Sequence, residues 1–149
     1  GYVFEEALDH NATSEVGMDS HGDGGIAADF NLDGKVDILS GDDDNGKWHL
    51  YHNRTPAIDN HYLLLHIGYS PNGVDPIGAK VWVKTANSQY FKLIGSPNAN
   101  HSQSLLNIVH IGLSNSTAVE EVRVQWRNKE HTTLVDVAAD QLIEIGARP

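Results

Sequence analysis

The stretch Glu121-Val122-Arg123-Val124-Gln125-Trp126-Arg127 decides the fold class, because apolar and polar side chains alternate at every position. Successive side chains of a β-strand point to opposite faces of the sheet. Val122, Val124 and Trp126 therefore share one face, and the charged and amide side chains share the other. The pattern predicts a strand that buries one face of a sheet, with Trp126 in the core.

Several further stretches downstream of Asn60 are also typical of strands. They are residues 61–67, 79–84, 89–94 and 141–145. Stretches rich in Pro, Asn, Gly and Ser lie between them, at residues 70–73, 95–98 and 127–129, and indicate turns. No part of the chain has a convincing helical periodicity. We therefore predict an all-β fold, either an antiparallel sandwich or a small barrel.

A second motif, Asp29-Phe30-Asn31-Leu32-Asp33-Gly34-Lys35-Val36-Asp37, has oxygen-bearing side chains at positions 1, 3, 5 and 9. Calcium takes roughly six to eight oxygen ligands, and glycine at position 6 permits the sharp turn of a calcium loop. This spacing predicts a Ca²⁺ site. Its ligands would be the side chains of Asp29, Asn31, Asp33 and Asp37 and the backbone carbonyl of Lys35. The alternative is an Asx-rich turn without an ion.

The residues around this loop predict strands rather than helices. Residues 25–28 and 36–39 are short and apolar, and Ser40 occupies position 12, where a helix–loop–helix calcium site has a bidentate Glu. We thus expect a calcium-loop β-hairpin appended to the sandwich. The acidic stretch 42–46 predicts the next hairpin turn, with a second ion as the alternative. A polar loop is expected at Asp19, His21 and Asp23, again with an ion as the alternative.

Charge is distributed unevenly along the 149 residues. The net charge is −10, and residues 1–60 contain thirteen acidic and three basic residues, whereas the rest of the chain is balanced. We place two units at residues 1–55 and 60–149. The acidic balance argues against a nucleic-acid partner. The absence of cysteine excludes disulfides, and the absence of a long apolar run argues against membrane insertion.

The N-terminal motif, in the context GGIAADFNLDGKVDILSG and GKWHLYHNRT, resembles an FG-GAP or VCBS repeat, the blade unit of integrin-type propellers. The resemblance implies a strand, a calcium hairpin and two further strands, with Asp29, Asn31, Asp33 and Asp37 as ligands. A propeller needs roughly four to eight blades. One visible repeat excludes a closed propeller, so the unit must pack against something else.

Residues 60–149 resemble the ASPIC/UnbV domain, which follows FG-GAP repeats in secreted proteins. The resemblance is carried by stretches 60–63, 77–81, 101–104, 111–113, 122–126 and 137–141. Two turns depart from the family pattern: Trp126-Arg127-Asn128-Lys129 replaces Trp-Pro-Ser-Gly, and Ile111-Gly112-Leu113-Ser114 replaces Phe-Gly-Leu-Gly. The resemblance implies no catalytic activity.

Aromatic residues provide the candidate ligand site. Trp82 lies on the strand face of Lys80 and Lys84, where its ring could stack on a sugar, and Trp48 with Tyr51 forms a second candidate. The alternative for both is the seam between the two units. His49 with His52, and His61 with His66, cannot chelate a metal within a regular strand, because residues three or five apart point to opposite faces.

These patterns predict a non-catalytic, calcium-stabilised module that binds a polysaccharide or another glycan, or mediates adhesion. A protein-interaction or spacer domain is the second interpretation, and a polysaccharide-acting enzyme is the third, since no nucleophile motif is present. A structural calcium site of low affinity is filled outside cells, so we expect a secreted or cell-surface protein. The chain starts at Gly1 without a signal peptide, so we expect an excised, monomeric fragment.

Overall fold

A computed structural model describes residues 24–42, 47–56, 58–95 and 107–148, and these form ten strands and no helix. The all-β prediction is confirmed. No helix that could cross a membrane occurs within the described ranges. In chain order the strands are β1 (Gly24–Ala28), β2 (Asp37–Asp42), β3 (Lys47–Tyr51), β4 (His61–Ile67), β5 (Lys80–Lys84), β6 (Gln89–Leu93), β7 (Ile108–Ser114), β8 (Ala118–Gln125), β9 (His131–Ala138) and β10 (Gln141–Ile145).

The strands β4 to β10 form a β-sandwich. One sheet has the strand order β10-β4-β7 and the other the order β6-β5-β8-β9. Both sheets contribute inward side chains to one core, and no closed barrel forms among the described strands, so the sandwich alternative is the correct one. The core contains Leu63, Leu65, Ile67, Ala79, Val81, Val83, Ile94, Val109, Ile111, Leu113, Val119, Val122, Val124, Trp126, Val137 and Ile145.

The alternation that predicted β8 determines which of its side chains enter the core. Val122 and Val124 are fully buried and Trp126 is 1% exposed, as predicted. The indole nitrogen of Trp126 donates a hydrogen bond to the carbonyl oxygen of Gly68 at 3.0 Å. Burial of a large apolar side chain contributes about 1.5–3 kcal/mol relative to leaving it exposed, so this strand is a principal source of stability.

The strand pairing departs from a purely antiparallel sheet at one place. β10 pairs with β4 in parallel, with Gln141 opposite Leu63 and Ile145 opposite Ile67, whereas the remaining pairs of the sandwich are antiparallel. β4 is therefore the central strand of the smaller sheet, with a parallel partner, β10, on one side and an antiparallel partner, β7, on the other. The antiparallel prediction is wrong for β10, because local sequence does not encode the direction of a long-range partner.

The turn predictions agree with the structure wherever it describes them. In the turn at 70–73 the amide of Gly73 donates to the carbonyl oxygen of Ser70 at 2.9 Å. In the turn at 127–129 the amide of Lys129 donates to the carbonyl oxygen of Trp126 at 3.0 Å. Residues 96–98 lie outside the described ranges. These turns connect sequential strands and do not contribute to the candidate sites.

β1, β2 and β3 form a separate antiparallel sheet in that order, which we call the N-terminal β unit together with residues 52–56. Ala28 pairs with Asp37 at the end where the motif loop 29–36 connects β1 and β2. The two strands expected around the loop are present: β1 begins one residue before the predicted stretch 25–28, and β2 extends three residues beyond the predicted stretch 36–39. The hairpin turn expected at 42–46 falls mostly on residues outside the described ranges.

Candidate functional site

The loop between β1 and β2 folds around the carboxylate of Asp29. This side chain is 3% exposed, and its two oxygens accept hydrogen bonds from the backbone amides of Asp33 at 3.1 Å and Gly34 at 2.7 Å. Leu32 and Gly34 adopt positive φ angles of 61° and 85°, which turn the chain back toward β2. The loop is thus a set of Asx turns in which side-chain oxygens satisfy backbone N–H groups.

Asp33 lies at the exposed tip of the loop and is fixed by its neighbours. Its carboxylate accepts hydrogen bonds from the side-chain amide of Asn31 at 3.0 Å and from the backbone amide of Lys35 at 2.9 Å. The Asn31 side chain and then the Lys35 amide lower the pKa of Asp33 below its ordinary value. The Asp33 carboxylate therefore remains charged at neutral pH.

Asp37 closes the loop from the start of β2 and is 1% exposed. Its carboxylate accepts backbone N–H groups from Asn53 at 2.8 Å and Phe30 at 3.2 Å, and lies 3.0 Å from Nδ1 of His52. Burial alone would raise the pKa of Asp37, but the two amides and His52 together lower it. Asp37 thereby joins the loop, β2 and the segment after β3.

The loop contains acceptors of the kind that a hard cation requires. Asp29 and Asp37 are buried carboxylates, and no Lys or Arg in the described ranges forms an ion pair with them. A carboxylate offers about four lone-pair sites, so the amide contacts leave acceptor capacity. The described residues contain no group of three His, Asp or Glu side chains placed to hold a metal. The side-chain types are those that a hard cation takes, whereas in this structure the two buried carboxylates accept hydrogen bonds from backbone amides.

The loop contacts the sandwich through Gly34. Its carbonyl oxygen lies 2.9 Å from Nε2 of His110 in β7. A Cβ at Gly34 would lie 2.1 Å from Cδ1 of Tyr62 in β4, so only glycine fits against this ring. The rings of Tyr62 and His110 are stacked, with centroids 6.3 Å apart and an interplanar angle of 6°. The N-terminal β unit therefore docks on the outer face of the smaller sheet.

A cleft of about 630 Å³ lies beside this contact, between the loop and the edge of the sandwich. On the sandwich side, Nδ1 of His61 lies 2.6 Å from the carboxylate of Asp140, which also accepts the Tyr62 amide at 3.2 Å. The His61 hydrogen bond is the main cause that lowers the pKa of Asp140. Burial, followed by the charge of Asp140, raises the pKa of Tyr62. The His61–Asp140 pair connects the start of β4 to the turn before β10.

Trp82 lies on the outer face of the four-stranded sheet. Its partly exposed ring is 5.5 Å from the ring of Phe91, centroid to centroid, at an angle of 48°. The guanidinium carbon of Arg123 lies over the indole at 5.6 Å, within the range of a cation–π contact. In the strand register Phe91, Trp82 and Arg123 form one row across β6, β5 and β8. We call this row the aromatic platform.

Trp82 does not lie at the seam between the two units. The N-terminal β unit contacts the three-stranded sheet of the sandwich through Gly34, whereas Trp82 lies on the four-stranded sheet. Trp126 is in the core. The side chain of Trp48 lies outside the described part, although its backbone pairs with Gly41. Tyr51 ends β3, opposite Ile38, and is partly buried. The alternative ion ligands Asp19, His21 and Asp23 lie outside the described ranges.

Sequence reasoning missed the neighbours that the structure places around the predicted residues. It did not single out Phe91 and Arg123 as partners of Trp82, although all three occupy outward positions of their strands. It named Tyr62 as part of a family motif and did not foresee that Tyr62 and His110 receive Gly34. The alternation of inward and outward side chains along these strands could have identified the platform residues. The docking contact had no sequence signal, because it joins residues far apart in the chain.

The comparisons with known proteins agree with the architecture of the sandwich. A family model described as ASPIC and UnbV matches residues 68–148, which is more than half of the chain. No curated protein matches the chain. The match begins just after β4, whereas we predicted a start at residue 60 and the sandwich includes β4 as a central strand. The N-terminal β unit lies outside the match, so its likeness to a calcium repeat rests on its motif. The chain belongs to the ASPIC and UnbV family.

Proposed function

We propose that this chain is a non-catalytic, calcium-stabilised binding module of a secreted protein, and that its ligand is a carbohydrate. The ASPIC and UnbV domain is a domain of larger proteins, which is consistent with a role as a module. The observation that carries the proposal is the aromatic platform of Trp82, Phe91 and Arg123. The platform lies on the opposite side of the sandwich from the docked N-terminal β unit.

The platform has the properties that a sugar-binding surface needs. A pyranose ring presents apolar C–H groups on its faces and hydroxyl groups around its rim. The faces can pack on the rings of Trp82 and Phe91, which is 54% exposed, while Arg123, Lys80 and Gln125 offer donors to the hydroxyls. A sheet face also suits a long polymer, since a polysaccharide can cross it without having to enter a pocket.

The calcium part of the proposal rests on the loop 29–37. Its oxygen donors, its buried carboxylates and its glycine at position 6 all suit a hard cation, with Asp29, Asn31, Asp33, Asp37 and the Lys35 carbonyl as ligands. An ion bound to the folded state alone adds stability that grows with its concentration. Extracellular calcium is abundant enough to fill a weak site, which supports a secreted location.

The carboxylates of the cleft support a non-catalytic assignment. Glycoside hydrolysis needs a carboxylic acid whose pKa is raised, so that it can donate a proton at neutral pH. The two cleft carboxylates with altered pKa values, Asp33 and Asp140, are both shifted downward and stay ionised. Neither therefore suits the role of general acid.

A protein ligand is the second candidate, favoured by the apolar side chains beside the platform. Leu93 and Val135 are 45% and 65% exposed and lie on the same sheet face as Trp82. A protein would bury these side chains together with Phe91, whereas a sugar would use mainly the rings. Substitution of Leu93 and Val135 therefore separates the two ligands.

Affinity electrophoresis through gels that contain polysaccharide tests the carbohydrate proposal. The expected result is retardation of the wild type that falls about tenfold in apparent affinity for Trp82→Ala, because the stacking surface is lost. Leu142→Ala, an exposed residue of the other sheet, is the matched control and should migrate as the wild type. Unchanged retardation of Trp82→Ala, with its fold verified by circular dichroism, would exclude the platform as the site.

A further inference from the structure

The outer face of the four-stranded sheet carries positive charge in a strongly acidic chain. Lys80, Lys84 and Arg123 project from this face, and Glu121 is the acidic residue at the equivalent outward position of β8. The chain as a whole has a net charge of −10. Arg123 and Lys80 thus lie at the platform in a chain whose whole excess of acidic residues lies in residues 1–60, while Lys84 lies beside Glu120 and Glu121.

Two of these cations are available to an external anion. The Lys84 ammonium lies 2.8 Å from the carboxylate of Glu120, so its charge is compensated. Arg123 and Lys80 form no ion pair with any carboxylate in the described part of the chain. Lys80 lies two residues before Trp82 on the same strand face, and Arg123 lies over the Trp82 ring. Both cations therefore border the surface on which a sugar ring would stack.

Arg123 is well placed for an anion rather than for a hydroxyl alone. Its guanidinium group is held against the indole at 5.6 Å, which reduces the side-chain entropy lost when a ligand binds. The edge of a planar guanidinium presents parallel N–H donors that match the two oxygens of a carboxylate. Arg123 can thus bind a carboxylate attached to a sugar that packs on the exposed part of the platform rings.

We propose that the ligand of the aromatic platform is an acidic glycan whose sugars carry carboxylates, with the sugar ring on Trp82 and the carboxylate on Arg123. This inference rests on the proposed carbohydrate function and names its ligand class. Lys80 supplies a second positive charge near the same position. A neutral glycan would still stack on the rings and accept hydrogen bonds from both side chains, but it would gain no attraction between opposite charges.

The test compares an acidic oligosaccharide with a neutral derivative of the same sugar chain. Wild-type protein is titrated with trigalacturonate and with its methyl ester, in which each carboxylate is neutral, since short oligomers avoid gel formation with calcium. The expected result is binding about tenfold or more tighter for the acid, lost in high salt. Arg123→Gln should bring the two affinities together, and Trp82→Ala should weaken both. Arg148→Gln removes the same charge far from the platform and should keep the wild-type ratio.

The possible results distinguish the acidic-glycan inference from the carbohydrate-binding proposal on which it rests. Equal affinity of the wild type for acid and ester, with Trp82→Ala weakening both, would overturn the acidic-glycan inference and leave carbohydrate binding intact. Binding of dextran sulfate without binding of trigalacturonate would overturn the assignment of a carboxylate. Absence of binding to these ligands and to a panel of neutral oligosaccharides would overturn both proposals.

Discussion

The sandwich and the N-terminal β unit bury different kinds of side chain. The sandwich core is apolar and draws on both sheets. In the N-terminal β unit the buried side chains described are Ala28 and two carboxylates, Asp29 and Asp37, while Phe30 and Leu50 are 36% and 55% exposed. The sandwich is therefore stabilised mainly by apolar burial. The N-terminal β unit depends on compensation of charge and on its contact with the sandwich through Gly34.

The largest expected effect is in the sandwich core. Trp126→Ala should lower the free energy of unfolding by about 3–5 kcal/mol, because it leaves a cavity and removes the hydrogen-bond donor to Gly68. Val135→Ala, at a position that is 65% exposed in the same sheet, is the control and should stay within about 0.5 kcal/mol of the wild type. Urea unfolding measures both changes. A small loss for Trp126→Ala would mean that the sandwich is not stabilised mainly by its core.

The contact between the two regions is tested by a pair of glycines with similar backbones. Alanine at a positive φ costs about 1–2 kcal/mol, and this applies to Gly34 at 85° and to Gly73 at 79°. A Cβ at Gly73 meets no atom within 4 Å, whereas at Gly34 it meets the Tyr62 ring. Gly34→Ala should therefore cost about 1–3 kcal/mol more than Gly73→Ala in urea unfolding. Equal losses would show that the docking contact contributes nothing.

The polar loop is tested by removing the charge of Asp37 while keeping its shape. In Asp37→Asn one carboxylate oxygen becomes an NH₂ group, which cannot accept a hydrogen bond from Phe30, Asn53 or His52. The free energy of unfolding should therefore fall by about 1–3 kcal/mol. Asp59→Asn is the matched control, since Asp59 is exposed and asparagine tolerates its φ of 54°. Equal unfolding free energies for the two variants, measured in calcium-free buffer, would contradict this role of Asp37.

The smallest effect concerns pH. The pKa of Asp140 is lowered in the folded state, mainly by the His61 hydrogen bond, so its stabilising contribution is complete above about pH 4 and is lost as the pH falls through the folded value. The melting temperature of the wild type should exceed that of Asp140→Asn slightly at pH 7, and the gap should close as the pH falls through the folded pKa of Asp140. A gap that stays constant over this range would exclude the His61–Asp140 pair as its source.

The sequence predicted strands well where it contains a clear apolar run, at the centre of a sheet and at its edge alike. The bounds of β4 and β10 agree with the structure, because their apolar runs are clear. β7 and β9 were not predicted as strands. β9 lies at the edge of its sheet and has a single buried residue, Val137, so it lacks a clear alternation. In β7 the buried residues Val109, Ile111 and Leu113 alternate with outward ones, so the sequence did contain a signal for this strand.

The candidate sites also differ in how far the sequence predicts them. The loop 29–37 is local, so the spacing of its side chains identified Asp29 and Asp37, although it did not identify Asn53 and His52 as partners of Asp37. The aromatic platform joins Phe91, Trp82 and Arg123 from three strands, and only the strand register brings them together. The contact of Gly34 with Tyr62 depends on how two sheets pack, which no local pattern encodes.

A thermal melt of the chelated protein, with and without millimolar calcium, tests the difference between the two regions most directly. Calcium at about a hundredfold excess over its Kd should stabilise the wild type by about 2.7 kcal/mol and raise its Tm by several degrees. Asp33→Ala should lose this shift, whereas Asp59→Asn, which removes an acidic charge outside the loop, should keep it. No shift in the wild type, or the same shift in Asp33→Ala, would contradict a calcium-stabilised loop.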